Sequence, residues 1–352
     1  MTGTTLPDAQ QPDAQQPAWF GVPVADELVL RTLPGAVDYL ADSLSRRRGV
    51  TIVKRHPDAV RISWAGPLAE LAEDRYFSSA AVPLRPDSEI LAVLGETTFR
   101  VGDIGPERFE LIKELEDGRG WRNDPRDWEV NVERRGDELV AEIGALHTTR
   151  RFGRLERLPA STTPVLAAVL TRLLKVEPGQ TVLDPFCGAG TNLVYVRAMT
   201  EAGAVLGGDR DRRALAAARK NGRYALFQAD AARLPFADGS IDRVVANLPF
   251  GKRVGSHRGN EQLYPAFLRE LDRILAPKAR AVLLTEDKRL LRTWAHRVPG
   301  LRPVKEVVLA SGGAHPSAFV LTNRTNRPSS AANRAKQGTD RTSPGPNPGT
   351  RR

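Results

Sequence analysis

The sequence predicts an α/β protein: a doubly wound, Rossmann-like, seven-stranded sheet in the C-terminal half, preceded by a small α+β region. Three observations predict it. From about residue 163 onward, apolar strand runs alternate with helical runs, the order of a parallel sheet covered on both faces. A glycine turn, Cys187-Gly-Ala-Gly190, joins the first of these strands to its helix. The last patterned segments, residues 304–310 and 317–322 around Ser311-Gly-Gly313, read as an antiparallel closing hairpin.

The elements before that sheet are short. Residues 27–32 alternate as a strand does, and 34–44 form a helical pattern with Val37, Leu40 and Leu44 on one face. Residues 50–54 and 59–64 are β-branched runs split by Pro57 and Asp58, a hairpin turn. A short helix at 68–73 and a strand at 76–82 complete the order βαββαβ, that of a ferredoxin-like module. Two helical patterns, 88–94 and 106–116, then precede a hairpin with arms 128–133 and 138–143 and Gly136-Asp137 at its turn. The expected division is a tail at 1–18, a ferredoxin-like unit at 19–85, a further small region at 86–148, the large sheet at 149–325, and a tail at 326–352.

Composition narrows the function. The net charge is +10, but the tail from Asn326 to Arg352 carries six basic residues and one acidic, so half the excess sits where Pro, Ser, Gly and Asn preclude a core. The remaining basic residues cluster at Arg150, Arg151, Arg154 and Arg157, and again at Lys252, Arg253 and Arg258. Beside an active site, such clusters point to RNA. One cysteine and five scattered histidines predict neither a disulfide nor a metal site. No apolar run has the length of a membrane span and the N-terminus lacks a signal-peptide layout, so the expected location is the cytoplasm.

The helix expected at 163–174 opens on Thr163 as cap with Pro164 at its first position, where a missing N–H costs nothing. Thr181-Val-Leu-Asp-Pro-Phe-Cys-Gly-Ala-Gly-Thr-Asn192 follows as strand, turn and the start of a helix at 193–199. Gly188 and Gly190 allow a sharp turn and close approach of a ligand. A dinucleotide fingerprint would place a third glycine at position 193, which is Leu. Instead, acids end three successive strands. Asp184 is placed to bond the amino group of a methionine-like cofactor end, Asp209 to hold ribose hydroxyls, and Asp230, with Ala231, to meet an adenine amino group. Asp211 caps the helix 212–221. The expected cofactor is S-adenosyl-L-methionine.

The strand beginning at Ile241 exits through Asn247-Leu-Pro-Phe-Gly251. Base amino groups are poor nucleophiles because the nitrogen lone pair is delocalised into the ring. The Asn247 side-chain oxygen and the Leu248 carbonyl can accept both amino hydrogens and favour a pyramidal nitrogen in the transition state. Pro249 fixes the backbone, and Phe250 offers a ring on which the target base stacks. Carbon-5 pyrimidine methylation would need an attacking thiolate, and Cys187 sits in the cofactor loop as a small space-filler. A helix at 263–275 ended by Pro277, a strand at 280–285 and a helix at 288–296 complete the pattern.

These residues resemble the THUMP-associated RNA guanine-N2 methyltransferases, particularly those acting on tRNA. The resemblance spans about residues 158–322 and rests on Asp184-Pro-Phe-Cys-Gly-Ala-Gly-Thr191, Asp209, Asp230 and Asn247-Leu-Pro-Phe-Gly-Lys-Arg253, with Val254-Gly-Ser-His257 and Leu263-Tyr-Pro265 behind them. It implies a class I methyltransferase fold and methyl transfer from S-adenosyl-L-methionine to N2 of a guanine, with position 6 of the tRNA acceptor stem the best-known target. It also implies that Arg150, Arg151, Arg154, Lys252 and Arg253 meet RNA. Two departures stand out: Leu248 replaces the commoner Pro, and residues 86–146 are short for a full THUMP domain. Adenine-N6 methylation of RNA or DNA fits the same motif, and a non-catalytic RNA-binding protein is the alternative outside enzymes.

Overall fold

A computed structural model describes residues 17–250, 257–310 and 313–323. The expected tail at 326–352, most of the tail at 1–18, Gly251, Lys252, Arg253 and the tip of the closing hairpin lie outside the described residues.

In the N-terminal part, β1 (Pro23–Arg31), α1 (Val37–Leu44), β2 (Val50–His56), β3 (Ala59–Pro67), α2 (Leu68–Ala72) and β4 (Ser79–Pro83) follow one another. Their strands lie in the antiparallel order β2-β3-β1-β4, as a βαββαβ module requires. Along β1 the inward residues Val24, Leu28 and Leu30 are buried, and α1 buries Leu40, Ala41 and Leu44 against them. The helix starts at Val37 rather than at Pro34, because Gly35 holds φ +91°, outside the helical region. A Cβ there would stand 2.0 Å from the Val308 carbonyl oxygen of the closing hairpin, so the position admits only glycine.

The next elements are α3 (Glu89–Val93), β5 (Thr98–Val101), α4 (Arg108–Arg119), β6 (Arg122–Asn123), β7 (Val130–Arg135), β8 (Glu138–Ile143) and the single turn α5 (Thr148–Arg151). The β7–β8 hairpin is the one expected from Gly136-Asp137. Strands β5 and β6 were not expected. They hold four and two residues, too few to show alternation, and they run parallel to their neighbours. Because β8 pairs antiparallel with β4, all eight strands form one sheet, β2-β3-β1-β4-β8-β7-β5-β6. The sheet therefore continues across residue 85.

The C-terminal part comprises α6 (Pro164–Leu174), β9 (Thr181–Asp184), α7 (Thr191–Met199), β10 (Ala204–Asp209), α8 (Arg212–Asn221), β11 (Ala225–Gln228), β12 (Ile241–Asn247), α9 (His257–Ile274), β13 (Leu275–Thr285), α10 (Lys288–Arg297), β14 (Leu301–Val308) and β15 (Ser317–Asn323). Its sheet has seven strands, ordered β11-β10-β9-β12-β13-β15-β14, six of them running the same way and β15 antiparallel between β13 and β14. Two boundaries differ from expectation. Helix α9 begins at His257 and carries Pro265 inside, since the apolar face of Tyr264, Phe267, Leu268, Leu271 and Ile274 outweighs one missing backbone bond. Helix α9 ends at Ile274, shortly before Pro277 as expected, but Pro277 itself lies within β13, which starts earlier than residue 280, and pairing with β12 jumps there from Leu275 to Arg280.

One apolar cluster crosses between the two parts, from Leu40, Trp64 and Phe77 to Val169, Leu193 and Val320. A second, on the other face of the seven-stranded sheet, gathers Leu183, Ala246, Phe267, Leu283 and Phe319. Between the parts run an Asp42–Arg172 ion pair and a bond from the Ala310 N–H to the Pro34 carbonyl. Among the described residues no helix is long and apolar enough to cross a membrane.

Candidate active site

The carboxyl ends of β9, β10 and β12 open onto a cleft of about 1110 Å³, lined by Gly188, Asn192, Asp209, Asp230, Ala231 and the run Asn247–Phe250. This is where a doubly wound sheet holds its ligand.

The glycine turn is held from two sides. Gly188, at φ +53°, donates its N–H to the Asp209 carboxylate at 2.9 Å, and nothing stands within 4 Å of where its Cβ would project. Gly190, at φ +81°, faces the other way: a Cβ would meet Ala218 Cβ at 3.2 Å, so this glycine packs α7 against α8 and does not line the cleft. Asp209 also accepts the Asp211 N–H at 2.9 Å and keeps its carboxylate at the cleft wall. Asp230, exposed, accepts the Ala232 N–H at 2.9 Å beside the buried Ala231.

Asp184 is placed differently from the sequence expectation. It is fully buried, does not line the cleft, and accepts from the Phe186 N–H and the Asn192 amide, both at 2.9 Å. Burial pushes its carboxyl up to about 7; the bonds from Asn192 and Phe186 oppose that, and the Asp209 charge adds to it. Asp184 therefore staples the turn from behind. Its partner Asn192 is the residue that reaches the cleft, with a buried side-chain oxygen that has no hydrogen-bond partner. Sequence reasoning passed over Asn192; the signal available was an amide two residues beyond Gly190, at the start of the helix.

At the end of β12, the Asn247 amide nitrogen donates to the Ala160 carbonyl at 3.2 Å and to Thr162 Oγ1 at 3.1 Å. A carbonyl can only accept, so these bonds fix which end of the amide is nitrogen. The Asn247 oxygen is left buried without a partner, at the cleft. The Leu248 N–H continues the sheet to the Leu284 carbonyl at 3.0 Å while its side chain is buried. The Pro249 carbonyl accepts from Asn260 Nδ2 at 2.8 Å and from the Tyr264 hydroxyl at 2.9 Å. Tyr264 in turn lies 2.8 Å from Thr285 Oγ1, which takes the Asp287 N–H at 2.9 Å. Asn260, Tyr264 and Thr285 are all buried. Phe250 is half-buried, with its ring on the cleft. Cys187 is buried and its thiol is pushed far up by burial, the environment of an inert filler.

The arginines separate. Arg151, expected to meet RNA, instead threads the interior: it donates to the carbonyls of Ala72, Asp74 and Phe77 and lies over the Phe77 ring at 3.6 Å. Arg150 pairs with Glu129 at 2.5 Å and donates to the Trp128 carbonyl at 2.7 Å, away from the cleft. Both tie the linker to the N-terminal sheet, because the acceptors that consume them come from distant residues. Arg154 and Arg157 are exposed.

Residues 151–317 match the model described as RMKL-like, methyltransferase domain. That segment is an RMKL-like methyltransferase domain. The chain is 36% identical over 201 residues to the tRNA (guanine(6)-N2)-methyltransferase of Thermus thermophilus, covering 54% of this chain and 59% of that protein. It is 30% identical over 229 residues to the bovine tRNA (guanine(6)-N(2))-methyltransferase THUMP3, covering 57% of this chain and 44% of that one. The chain thus spans about half the length of the curated relatives it matches. Among solved structures, TrmN from Thermus thermophilus superposes with a TM-score of 0.66 at 27% identity, covering 84% of this chain and 99% of that one.

Proposed function

We propose that this chain is an S-adenosyl-L-methionine-dependent RNA methyltransferase that modifies the exocyclic N2 of a guanine in tRNA, position 6 of the acceptor stem being the favoured target. The observation that carries the reading is the Asn247 oxygen, buried, partnerless and locked in orientation at the cleft. A buried acceptor left unpaired is unfavourable unless a ligand supplies the donor. An aromatic amine supplies one. The names of the relatives above support guanine N2 over adenine N6.

The donor set fits the cofactor. The Asp209 carboxylate suits ribose hydroxyls, Asp230 an adenine amino group, the Asn192 oxygen an ammonium, and the open space over Gly188 the close approach of the remainder. When bound, S-adenosyl-L-methionine supplies an electrophilic methyl group. The chain does the positioning. Asn247 draws on an amino hydrogen and localises the nitrogen lone pair, Phe250 stacks the base, and the Tyr264–Thr285 chain keeps the loop from relaxing. No covalent enzyme intermediate is needed. The region 86–148 serves as an abbreviated THUMP-like unit, Arg154, Lys252 and Arg253 contribute to RNA contact, and the protein works in the cytoplasm.

Methyl transfer from labelled cofactor to total tRNA and rRNA, followed by nucleoside mass spectrometry, tests this. N2-methylguanosine in tRNA is expected. N6-methyladenosine as the product would overturn the choice of base, and no transfer to any RNA would overturn the activity.

A further inference from the structure

Beside the cleft lies a smaller hollow of about 230 Å³, at the junction of the N-terminal part and the methyltransferase domain. At roughly 30 Å³ per water it has room for several. Arg75, Arg154 and Arg157 line it, with the rings of Phe152 and Tyr195 on its walls. It joins the cleft at Arg157, Thr162 and Thr191, which line both; Thr162 is one of the two residues that hold the Asn247 amide.

These arginines differ from their neighbours. Arg150 is neutralised by Glu129, and Arg151 is consumed by three carbonyls. Among the described residues, Arg75, Arg154 and Arg157 form no ion pair with a carboxylate. Arg75 is the telling case. Its guanidinium lies over the Phe152 ring at 4.1 Å and near Tyr195 at 5.5 Å, and its Nη1 is buried with no hydrogen-bond partner. Burial pushes its pKa down, and the phenol of Tyr195 is the group that offsets this. A guanidinium held out of water by two rings, with a nitrogen unpaired, is a costly arrangement that an anion would relieve. Arg154 and Arg157, exposed and without a carboxylate partner among the described residues, line the same hollow, and a phosphate accepts from guanidinium forks bidentately.

We propose that this hollow binds a phosphate of the substrate RNA backbone next to the nucleotide whose base enters the cleft, with Arg75 as the inner ligand and Arg154 and Arg157 at the mouth. The inference rests on the RNA-methyltransferase reading. A paired guanine must leave its stack to reach Asn247, and a phosphate gripped one residue away from that amide would hold the displaced backbone.

The test measures affinity of the full chain for a tRNA that it methylates, as a function of salt, for wild type, Arg75→Lys, Arg75→Ala and Arg154→Ala. Loss of one phosphate contact is expected to flatten the slope of log K against log salt by about 1 and to weaken binding about tenfold for Arg154→Ala and Arg75→Ala. Arg75→Lys, which keeps a point charge without the fork, should retain the slope and lose part of the affinity. Should Arg75→Ala fail to fold, Arg154→Ala, whose side chain is exposed, decides alone. A wild-type slope in Arg154→Ala together with a wild-type slope in any folded Arg75→Ala, in a protein that methylates tRNA, would overturn the phosphate site and leave the enzyme reading intact. Absence of methyl transfer by wild type would overturn both.

Discussion

The Tyr264 hydroxyl donates to the Pro249 carbonyl at 2.9 Å; Pro249 lines the cleft and Tyr264 is buried behind it. Read as donors and acceptors, the chain runs from the Asp287 N–H to Thr285 Oγ1, from the Thr285 hydroxyl to Tyr264 Oη, and from Tyr264 to Pro249. Each hydroxyl gives one proton and takes one, so the direction is fixed from end to end. Tyr264→Phe would leave the Pro249 carbonyl with Asn260 alone and strip Thr285 of its acceptor. Unmaking such buried bonds costs about 1–3 kcal/mol. The expected outcome is a kcat about tenfold lower with cofactor affinity unchanged, read by steady-state kinetics and calorimetry in parallel.

Asn247→Ala removes the acceptor offered to the amine. A loss of about 10²–10³ in kcat is expected, the scale of removing one preorganised partner of a transition state. Asn247→Asp should fare no better, since a carboxylate cannot donate to the Ala160 carbonyl and is repelled by it. Cofactor binding by calorimetry should remain near wild type in both. Wild-type turnover in Asn247→Ala would remove the mechanism.

Asp209 both faces the cleft and receives the N–H groups of Gly188 and Asp211. Asp209→Ala should therefore weaken cofactor binding by at least about tenfold, through a lost contact and a loosened turn. Equilibrium titration with S-adenosylhomocysteine gives the number, and undiminished affinity would move the ribose site elsewhere.

Asp184 gives a pH signature. Its folded carboxyl, pushed up to about 7, binds a proton more tightly than the unfolded one, so the folded state carries more protons between the ordinary carboxylate range and about 7. Stability must then fall as pH rises through that window, by as much as ~4 kcal/mol before relaxation and water entry reduce it. Asp184→Asn, which cannot ionise, should flatten this part of the profile of Tm against pH. A wild-type Tm that does not decline between pH 5 and 8 relative to Asp184→Asn would contradict it.

Cys187→Ala should keep its activity within a factor of about two and lose about 1 kcal/mol of stability, the cost of a small void under the turn. The native thiol should also react slowly with alkylating reagents, which a timed thiol assay reports.

The seven-stranded sheet and the cleft run Asn247–Phe250 were readable because each strand carries its own apolar run and each turn its own Gly or Pro. What escaped was set by distance. Asp184 looks the same in sequence whether its carboxylate points into a cleft or back onto Asn192. Arg150 and Arg151 read as a basic surface because Glu129, Ala72 and Phe77, which absorb them, are 21 to 79 positions away. Strand β5 exists through pairing with β7, and β6 through pairing with β5, not through a pattern of their own. Tyr264 lies in a helix whose apolar face hides its one polar atom.

Ala160, at φ +64°, is one of three non-glycine residues in the left-handed region among the described residues, and its carbonyl is one of the two acceptors that aim Asn247. The other, Thr162, is two positions on, and both belong to the stretch that leads out of the N-terminal sheet. The reactive amide is thus calibrated by chain lying ahead of the domain's first helix. A polypeptide beginning at Pro164 would keep every strand of the seven-stranded sheet and still have lost the hand that turns Asn247 the right way round, so grafting the catalytic half onto another RNA-binding partner would succeed only if this short stretch travelled with it.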